Sequence, residues 1–483
     1  MNKLLASIVI ASLAVASLHA ALSVGTAQVD ITPPKRVPLW GQFHLRMSQG
    51  VETPLTANVV ALESAGEQVI FVSIDLVMTT AELIAAIKEK IVRQEAAIAR
   101  DNIVISATHT HTAPAFALDA PKLPIADDIM DYPEIIDFMA GRVADAIVAA
   151  WKNRKPGKMA FGLDFAVLGD NRRAVYADGT AQMYGATQTE NFRTLEAKED
   201  YDVGTIFFLD ESDTMLAVAV NVACPSQVVE NRLTINADYW HPVRETLKKR
   251  FGEQVVVLGW CSAAGDVSPR PMYRKAAVGR MNALRQLDEM HVIARKIDRA
   301  VADTWDTVKD TAKTDVPIAH RTETLQLPMR KVTEKEYREA QAECDKITAA
   351  LKTNPDKAPA EVDWMAGGWH GDVVRRYEAQ QWNPDVRSPA PIHVLRLGEV
   401  AVFTNPFELF TDFGIQMKAR SPAVQTFIIQ LADARTLDSY LATVRAVQGG
   451  HYSAIIQSTL ISPEGGQVLV EETLKRAGEI FAK

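Results

Sequence analysis

Buried-strand runs that alternate with amphipathic segments constrain this chain more than any other feature. Residues 55–63 (LTANVVALE) and 68–77 (QVIFVSIDLV) are rich in Val and Ile and flank Gly66. That is the composition of strands bounded by a turn. Residues 80–99 then carry apolar side chains at helical spacing. Residues 102–107 (NIVISA) read as another buried strand, and 133–152 as a helix with Pro133 near its start. Residues 204–224 read as paired strands around the turn Asp210–Asp213, 238–251 as a helix and 254–260 as a strand. Residues 282–309 read as one long amphipathic helix, and strands resume at 392–404. Alternation of this kind implies an α/β fold of layered mixed β-sheets flanked by helices. No linker rich in Pro, Gly or Ser divides the chain, so one unit over residues 21–483 is expected. Residues 331–382 differ: they are charged, helix-favouring and contain the loop KTNPDKAPAE. They are expected to form a helical insertion on the surface.

Composition narrows the function classes. With 52 Lys plus Arg against 60 Asp plus Glu, the net charge is 52 − 60 = −8. An acidic chain without a basic block does not suit nucleic acid. Lys3 precedes an apolar run from Leu4 to Leu18, and Leu18-His19-Ala20 ends on a small residue. Residues 1–20 therefore have the shape of a secretory signal peptide. The run falls short of the roughly 20 apolar residues a membrane span needs. An exported protein, secreted or periplasmic, is expected, with no transmembrane segment in the mature chain. Three cysteines, Cys224, Cys261 and Cys344, are too few for a disulfide scaffold. Cys224 and Cys261 could pair with each other, or one of them could bind a metal.

Four segments place polar chemistry in apolar surroundings. The strand at 102–107 runs into Thr108-His109-Thr110-His111. Side chains at i and i+2 share a face of an extended strand, and two imidazoles on one face suit a divalent metal. Asn221–Gln227 ends an apolar strand in Cys224-Pro225, where a thiolate would be a good zinc ligand. Cys261–Pro269 is a small-residue turn that sets Asp266 and Ser268 where a substrate could approach. It lacks Gly-x-Ser-x-Gly, so it is not a nucleophile elbow. Finally, Glu408 lies among Pro406, Phe407, Leu409 and Phe410 at the expected start of a helix. A carboxylate in such surroundings needs a partner, and a metal would supply one.

Taken together and in this order, these segments resemble the catalytic domain of the neutral, non-lysosomal ceramidases. The matching features are Gly25-Thr26-Ala27-Gln28-Val29-Asp30-Ile31-Thr32-Pro33-Pro34, the Ala-Thr-His-Thr-His motif, Asn171-Arg172, the Ala-Gly-Asp-Val-Ser-Pro loop and Pro406-Phe407-Glu408. They run from residue 25 to about residue 456. The resemblance implies one Zn2+ ion and hydrolysis of an amide. It makes His109, Glu408 and Tyr440 metal ligands, and sets His111 beside the metal to assist the carbonyl or water. It gives Arg172 the task of holding or polarising the substrate. Ser268 would be a nucleophile or, in preference, a contact to substrate hydroxyls, with Asp266 beside it. The family's second histidine ligand is replaced here by Cys224, which would take its place at the metal. His241 is a further candidate to move in.

The expected mechanism is attack by a zinc-activated water on an N-acyl amide, ceramide-like or related. Transient contact with a membrane surface would accompany a lipid substrate. Two alternatives stand beside it. One is the same metal site acting on a different ester or amide. The other is a metal-free binding protein on this fold.

Overall fold

The turn at Gly66 sets the first half of the architecture. Ala65 and Gly66 both take positive φ, 51° and 85°, as a tight two-residue hairpin requires. Antiparallel strands leave it on either side. In the computed structural model, which describes residues 21–116, 126–353, 364–433 and 440–482, the main strands form an eight-stranded and a four-stranded sheet. Counting only these strands, the large sheet contains β1 (Ser23–Asp30), β2 (Thr56–Ser64), β3 (Glu67–Ile74), β4 (Ile103–Ala107), β5 (Lys155–Phe165), β6 (Asp202–Asp210), β7 (Met215–Val222) and β8 (Val256–Cys261). The small one contains β9 (Ile318–Pro328), β10 (Arg387–Leu397), β11 (Val400–Thr404) and β12 (Gln425–Ile429).

The large sheet runs in the order β8-β7-β6-β5-β1-β2-β3-β4. Its hairpins are antiparallel, but the outermost pairs, β3 with β4 and β7 with β8, are parallel. Parallel neighbours need a crossover. The helices Ala81–Gln94 and Trp240–Phe251 lie in these two connections.

The sheet coils until its two edges meet. Ser73 Oγ on β3 donates to Gly259 O on β8 at 2.8 Å, and the rings of Phe71 and Trp260 lie 5.1 Å apart. The chain leaving β12 stitches the edges together. Gln430 N–H donates to Cys261 O, Ala107 N–H to Leu431 O and Asp433 N–H to Ile105 O. The carboxyl ends of β4, β8 and β12 therefore converge on one place. Carboxyl ends of parallel strands are where α/β folds gather functional loops.

The two sheets pack face to face over Phe71, Phe208, Trp260, Leu395, Val402 and Phe427. Helices cover the outer faces. Ala81–Gln94 and Tyr132–Lys152 pack on one half of the large sheet, and Trp240–Phe251 with Glu289–Val308 on the other. Thr411–Arg420 and Pro463–Phe481 cover the small sheet. This is the layered mixed-sheet α/β architecture expected from the sequence.

One local expectation changes. The single helix expected at 282–309 is two, Lys275–Arg285 and Glu289–Val308. Gln286 turns left-handed at φ 54°, and the Asp288 carboxylate accepts from His291 N–H to start the second helix. An Asp at an N-cap is a start signal, and here it overrides the continuous apolar spacing. Residues 331–382 hold two helices, Glu334–Thr353 and Trp364–Trp382, between β9 and β10. Tyr337 and Tyr377 stack across them at 4.4 Å. The signal-peptide segment 1–20 and most of the KTNPDKAPAE loop lie outside the described residues. No helix among the described residues is long and apolar enough to cross a membrane.

Candidate active site

The two histidines meet, but not by strand alternation. β4 ends at Ala107, and His109 sits at φ 70°. Positive φ is uncommon for a residue with a side chain and marks local strain. Two hydrogen bonds hold this turn, from the His109 and Thr110 N–H groups to Leu76 O. His109 Nε2 then lies 3.4 Å from His111 Nε2 and 3.4 Å from Glu408 Oε2. His109 Nδ1 is 2.7 Å from Val77 O. A carbonyl only accepts, so Nδ1 carries the proton and Nε2 keeps its lone pair for the site.

Glu408 does not begin a helix. Glu408–Leu409 is a short strand parallel to Tyr440–Leu441, with Glu408 directly opposite Tyr440. Strand pairing thus sets the carboxylate and the phenol side by side. Gly265 is obligatory behind them, because a Cβ there would stand 2.3 Å from Glu408 O.

Asp266 is the brace of this corner. Its Oδ1 accepts from Thr411 N–H at 2.8 Å. Its Oδ2 accepts from Asn171 Nδ2 at 2.8 Å and Thr411 Oγ1 at 3.0 Å. Its backbone oxygen accepts from Arg172 N–H. Burial pushes its pKa up to about 6, against the bonds from Thr411. The carboxylate expected to meet substrate is instead occupied in fixing Asn171 and the helix after Glu408, while the backbone oxygen holds Arg172. Asp266→Asn puts an amide donor among three donors. It is expected to cost about 1–3 kcal/mol, read as a fall in urea midpoint at constant m.

Arg172 is 1 % exposed. It donates to Tyr440 OH at 3.0 Å, Gly265 O at 2.8 Å and Gln227 Oε1 at 3.3 Å, and stands 3.8 Å from Glu408. Burial alone would lower its pKa, but Tyr440, Tyr184 and Glu408 outweigh that and hold it well above the usual value. His111 is held well below its usual pKa by burial, then by His109, Arg172 and Arg46. It is neutral at pH 7. Burial also raises the pKa of Tyr440 well above the usual phenol range, and that of Tyr452 to about 12. Tyr452 packs on Tyr440 at 5.5 Å between rings.

The remaining expected residues stand apart. Cys224 does not join the histidines. Its sulfur lies against Pro225 O within an apolar cluster that includes Val222, Val229 and Trp240. Burial pushes the thiol pKa well up. Cys224 and Cys261 are both free, so the alternative disulfide is not formed. Ser268 is buried, and its Oγ accepts from Tyr184 OH and Arg270 N–H, both at 3.2 Å. None of its hydrogen-bond partners is a histidine that would make it a nucleophile. His241 lies on the helix Trp240–Phe251, where its imidazole senses Glu245 and Arg244.

Sequence reasoning missed Gln227, Glu230, Tyr452 and Tyr184. Gln227 is the hub: its Nε2 donates to His111 Nε2 at 2.7 Å and to His109 Nε2 at 3.3 Å, and its Oε1 faces Arg172. Glu230 lies 3.5 Å from His111 Nδ1 and is paired with Arg270 at 2.6 Å. Gln227 closes the Asn221–Gln227 segment singled out in the sequence, and Glu230 lies three residues beyond it.

Two donor separations have the length that a divalent cation between them would need. A tetrahedral ion with ligand bonds of roughly 2.0–2.2 Å has donors about 3.3–3.6 Å apart. The 3.4 Å separations of His109 from Glu408 and from His111 match that edge. His109 Nε2 also faces the Glu408 carboxylate, a contact that a proton or a cation between them stabilises. Among the described residues, no group of three or more His, Cys, Asp or Glu side chains is arranged to hold a metal ion.

Comparison with protein-family models and with curated proteins finds no match. Solved structures do match. One described as ceramidase complexed with C2 aligns with a TM-score of 0.66 at 12% identity, covering 96% of this chain and 76% of that one. Neutral ceramidase from Pseudomonas aeruginosa aligns with a TM-score of 0.67 at 13% identity, covering 95% and 74%. The chain has the neutral ceramidase fold. The ceramidase-type architecture expected from the sequence motifs is therefore met. At this identity the likeness speaks for the ceramidase fold alone.

Proposed function

We propose that this chain is an exported, zinc-dependent amide hydrolase on the ceramidase fold, cleaving an N-acyl amide. One observation carries the reading: a buried, permanently charged Arg172 in contact with Tyr440, next to a His109–Glu408 donor pair spaced for a metal. His109 and Glu408 would hold zinc, with Tyr440 beside Glu408. When bound, zinc supplies a Lewis acid and lowers the pKa of water from 15.7 toward roughly 7.

The chain's own residues do the rest. Arg172 places a fixed positive charge where the carbonyl oxygen becomes anionic, the term that usually dominates acyl transfer. Tyr452 retains its proton at pH 7, because burial holds its pKa at about 12. It is the neutral acid next to Tyr440 that can protonate the departing nitrogen. Attack by water on the carbonyl carbon breaks the C–N bond and yields a carboxylic acid and an amine. Ser268, lacking a base, is left as a partner of Tyr184.

The test is hydrolysis by purified protein with added zinc, using ceramide, shorter N-acyl amides and matched esters. Release of amine from an amide, lost with a chelator and restored by zinc, is the expected result. Turnover of esters alone moves the substrate class. Absence of turnover and of metal uptake favours the metal-free binding protein.

A further inference from the structure

We propose that His111, and not Cys224, supplies the second imidazole ligand of the metal centre. The ligand set of this chain would then be His109, His111 and Glu408, with Tyr440 beside them. The inference rests on the metal reading above and changes who completes the site.

Reach is the first argument. A cysteine sulfur lies one bond beyond Cβ, whereas the far nitrogen of histidine lies two bonds further across the ring. A cysteine standing where a histidine would ligate stops short. Here the Cys224 sulfur turns into apolar packing beside Pro225 O instead. His111, by contrast, already points Nε2 at His109 Nε2 across 3.4 Å.

Orientation is the second. Metal-binding imidazoles almost always have their other nitrogen tied to a carbonyl or carboxylate. His109 Nδ1 meets Val77 O at 2.7 Å. His111 Nδ1 faces Glu230 at 3.5 Å, and Arg270 anchors that carboxylate at 2.6 Å. His109 thus has the outer partner of a ligand, and the Glu230 carboxylate stands at ion-pair distance from His111 Nδ1, which makes no hydrogen bond of its own.

The third is confinement. Gly41 backs the His111 ring at φ 100°, and a Cβ there would lie 2.4 Å from its Cγ. Gln227 Nε2 lies on the other side, donating to both imidazoles at 2.7 and 3.3 Å. A cation that takes the two lone pairs displaces this amide. Its Oε1 already accepts from Arg172, so Gln227 keeps a partner. Two imidazoles and a carboxylate form a known catalytic zinc set that leaves a position open.

The test is metal binding, independent of any substrate. Chelator-stripped full-length protein is titrated with zinc by calorimetry and loaded with cobalt for absorption spectroscopy. The wild type is expected to take about one ion per chain, without a thiolate-to-cobalt charge-transfer band in the near ultraviolet. Cys224→Ala should bind zinc within about twofold of the wild type. Glu230→Gln removes the negative charge 3.5 Å from His111 Nδ1 and should lower zinc affinity by about 10-fold. His111→Ala should lose more than that. Glu230→Gln keeps the test open if His111→Ala fails to fold. A thiolate–cobalt band, or zinc lost in Cys224→Ala and kept in folded His111→Ala, overturns this ligand set and leaves the metal reading standing. A wild type that takes up neither zinc nor cobalt overturns both.

Discussion

Arg172→Met is expected to lower kcat/KM for amide hydrolysis by about 10²–10³-fold, the usual cost of one oxyanion donor. The loss should fall mainly on kcat, because the charge is needed most when the carbonyl oxygen becomes anionic. Methionine fills similar volume but leaves Tyr440 OH, Gly265 O and Gln227 Oε1 without their shared donor. Some stability should therefore be lost as well. Arg172→Lys separates the two effects. It keeps the charge but not the fork that reaches three acceptors at once, so its activity should lie between wild type and Arg172→Met. The measurement is steady-state kinetics on variants shown by circular dichroism to be folded. A folded Arg172→Met within tenfold of wild-type kcat/KM would remove Arg172 from the mechanism.

The second large effect is on stability. Asp75 is fully buried at the end of β3, and Arg244 grips it in a two-pronged pair at 2.7 and 2.8 Å. Thr56 donates to the same carboxylate through N–H and Oγ1, and Thr108 donates through Oγ1 at 3.1 Å. Thr108 immediately precedes His109, so this ion pair anchors the turn that presents the histidines. Asp75→Ala strands the Arg244 charge inside the protein. Breaking a buried pair from one side typically costs 3–5 kcal/mol, and about that loss is expected in urea unfolding. Asp75→Leu combined with Arg244→Met removes both charges and should recover much of it. A single-variant loss below about 1 kcal/mol would show that water reaches Arg244 and that the pair is not an anchor.

The same residues show which features were legible in the sequence. β2, β3 and β4 were readable because β-branched side chains crowd short runs that end at turn residues. The helices were readable where apolar spacing and a cap agree, and misread at 282–309, where Asp288 starts a new helix. The Cys261–Pro269 loop was found as a chemical segment, but Asp266 proved to be its brace. Neither the left-handed His109 nor the short strand of Glu408 was foreseen. Each is imposed by distant chain, Leu76 in one case and Tyr440 in the other.

The sequence by itself determined the elements and the kinds of side chain available, since helix spacing, strand composition and caps act over a few neighbouring residues. It also supplied the motifs that carry the resemblance to ceramidases. Only the tertiary structure decided which of those side chains meet. Arg172 and Tyr440 are 268 positions apart, and Gln227 and His111 are 116 apart. Their contacts exist because the large sheet coils until its edges touch and the chain after β12 joins them. The direction of the Cys224 sulfur was likewise settled by packing: a small apolar thiol gains more among Val222, Val229 and Trp240 than beside charged groups.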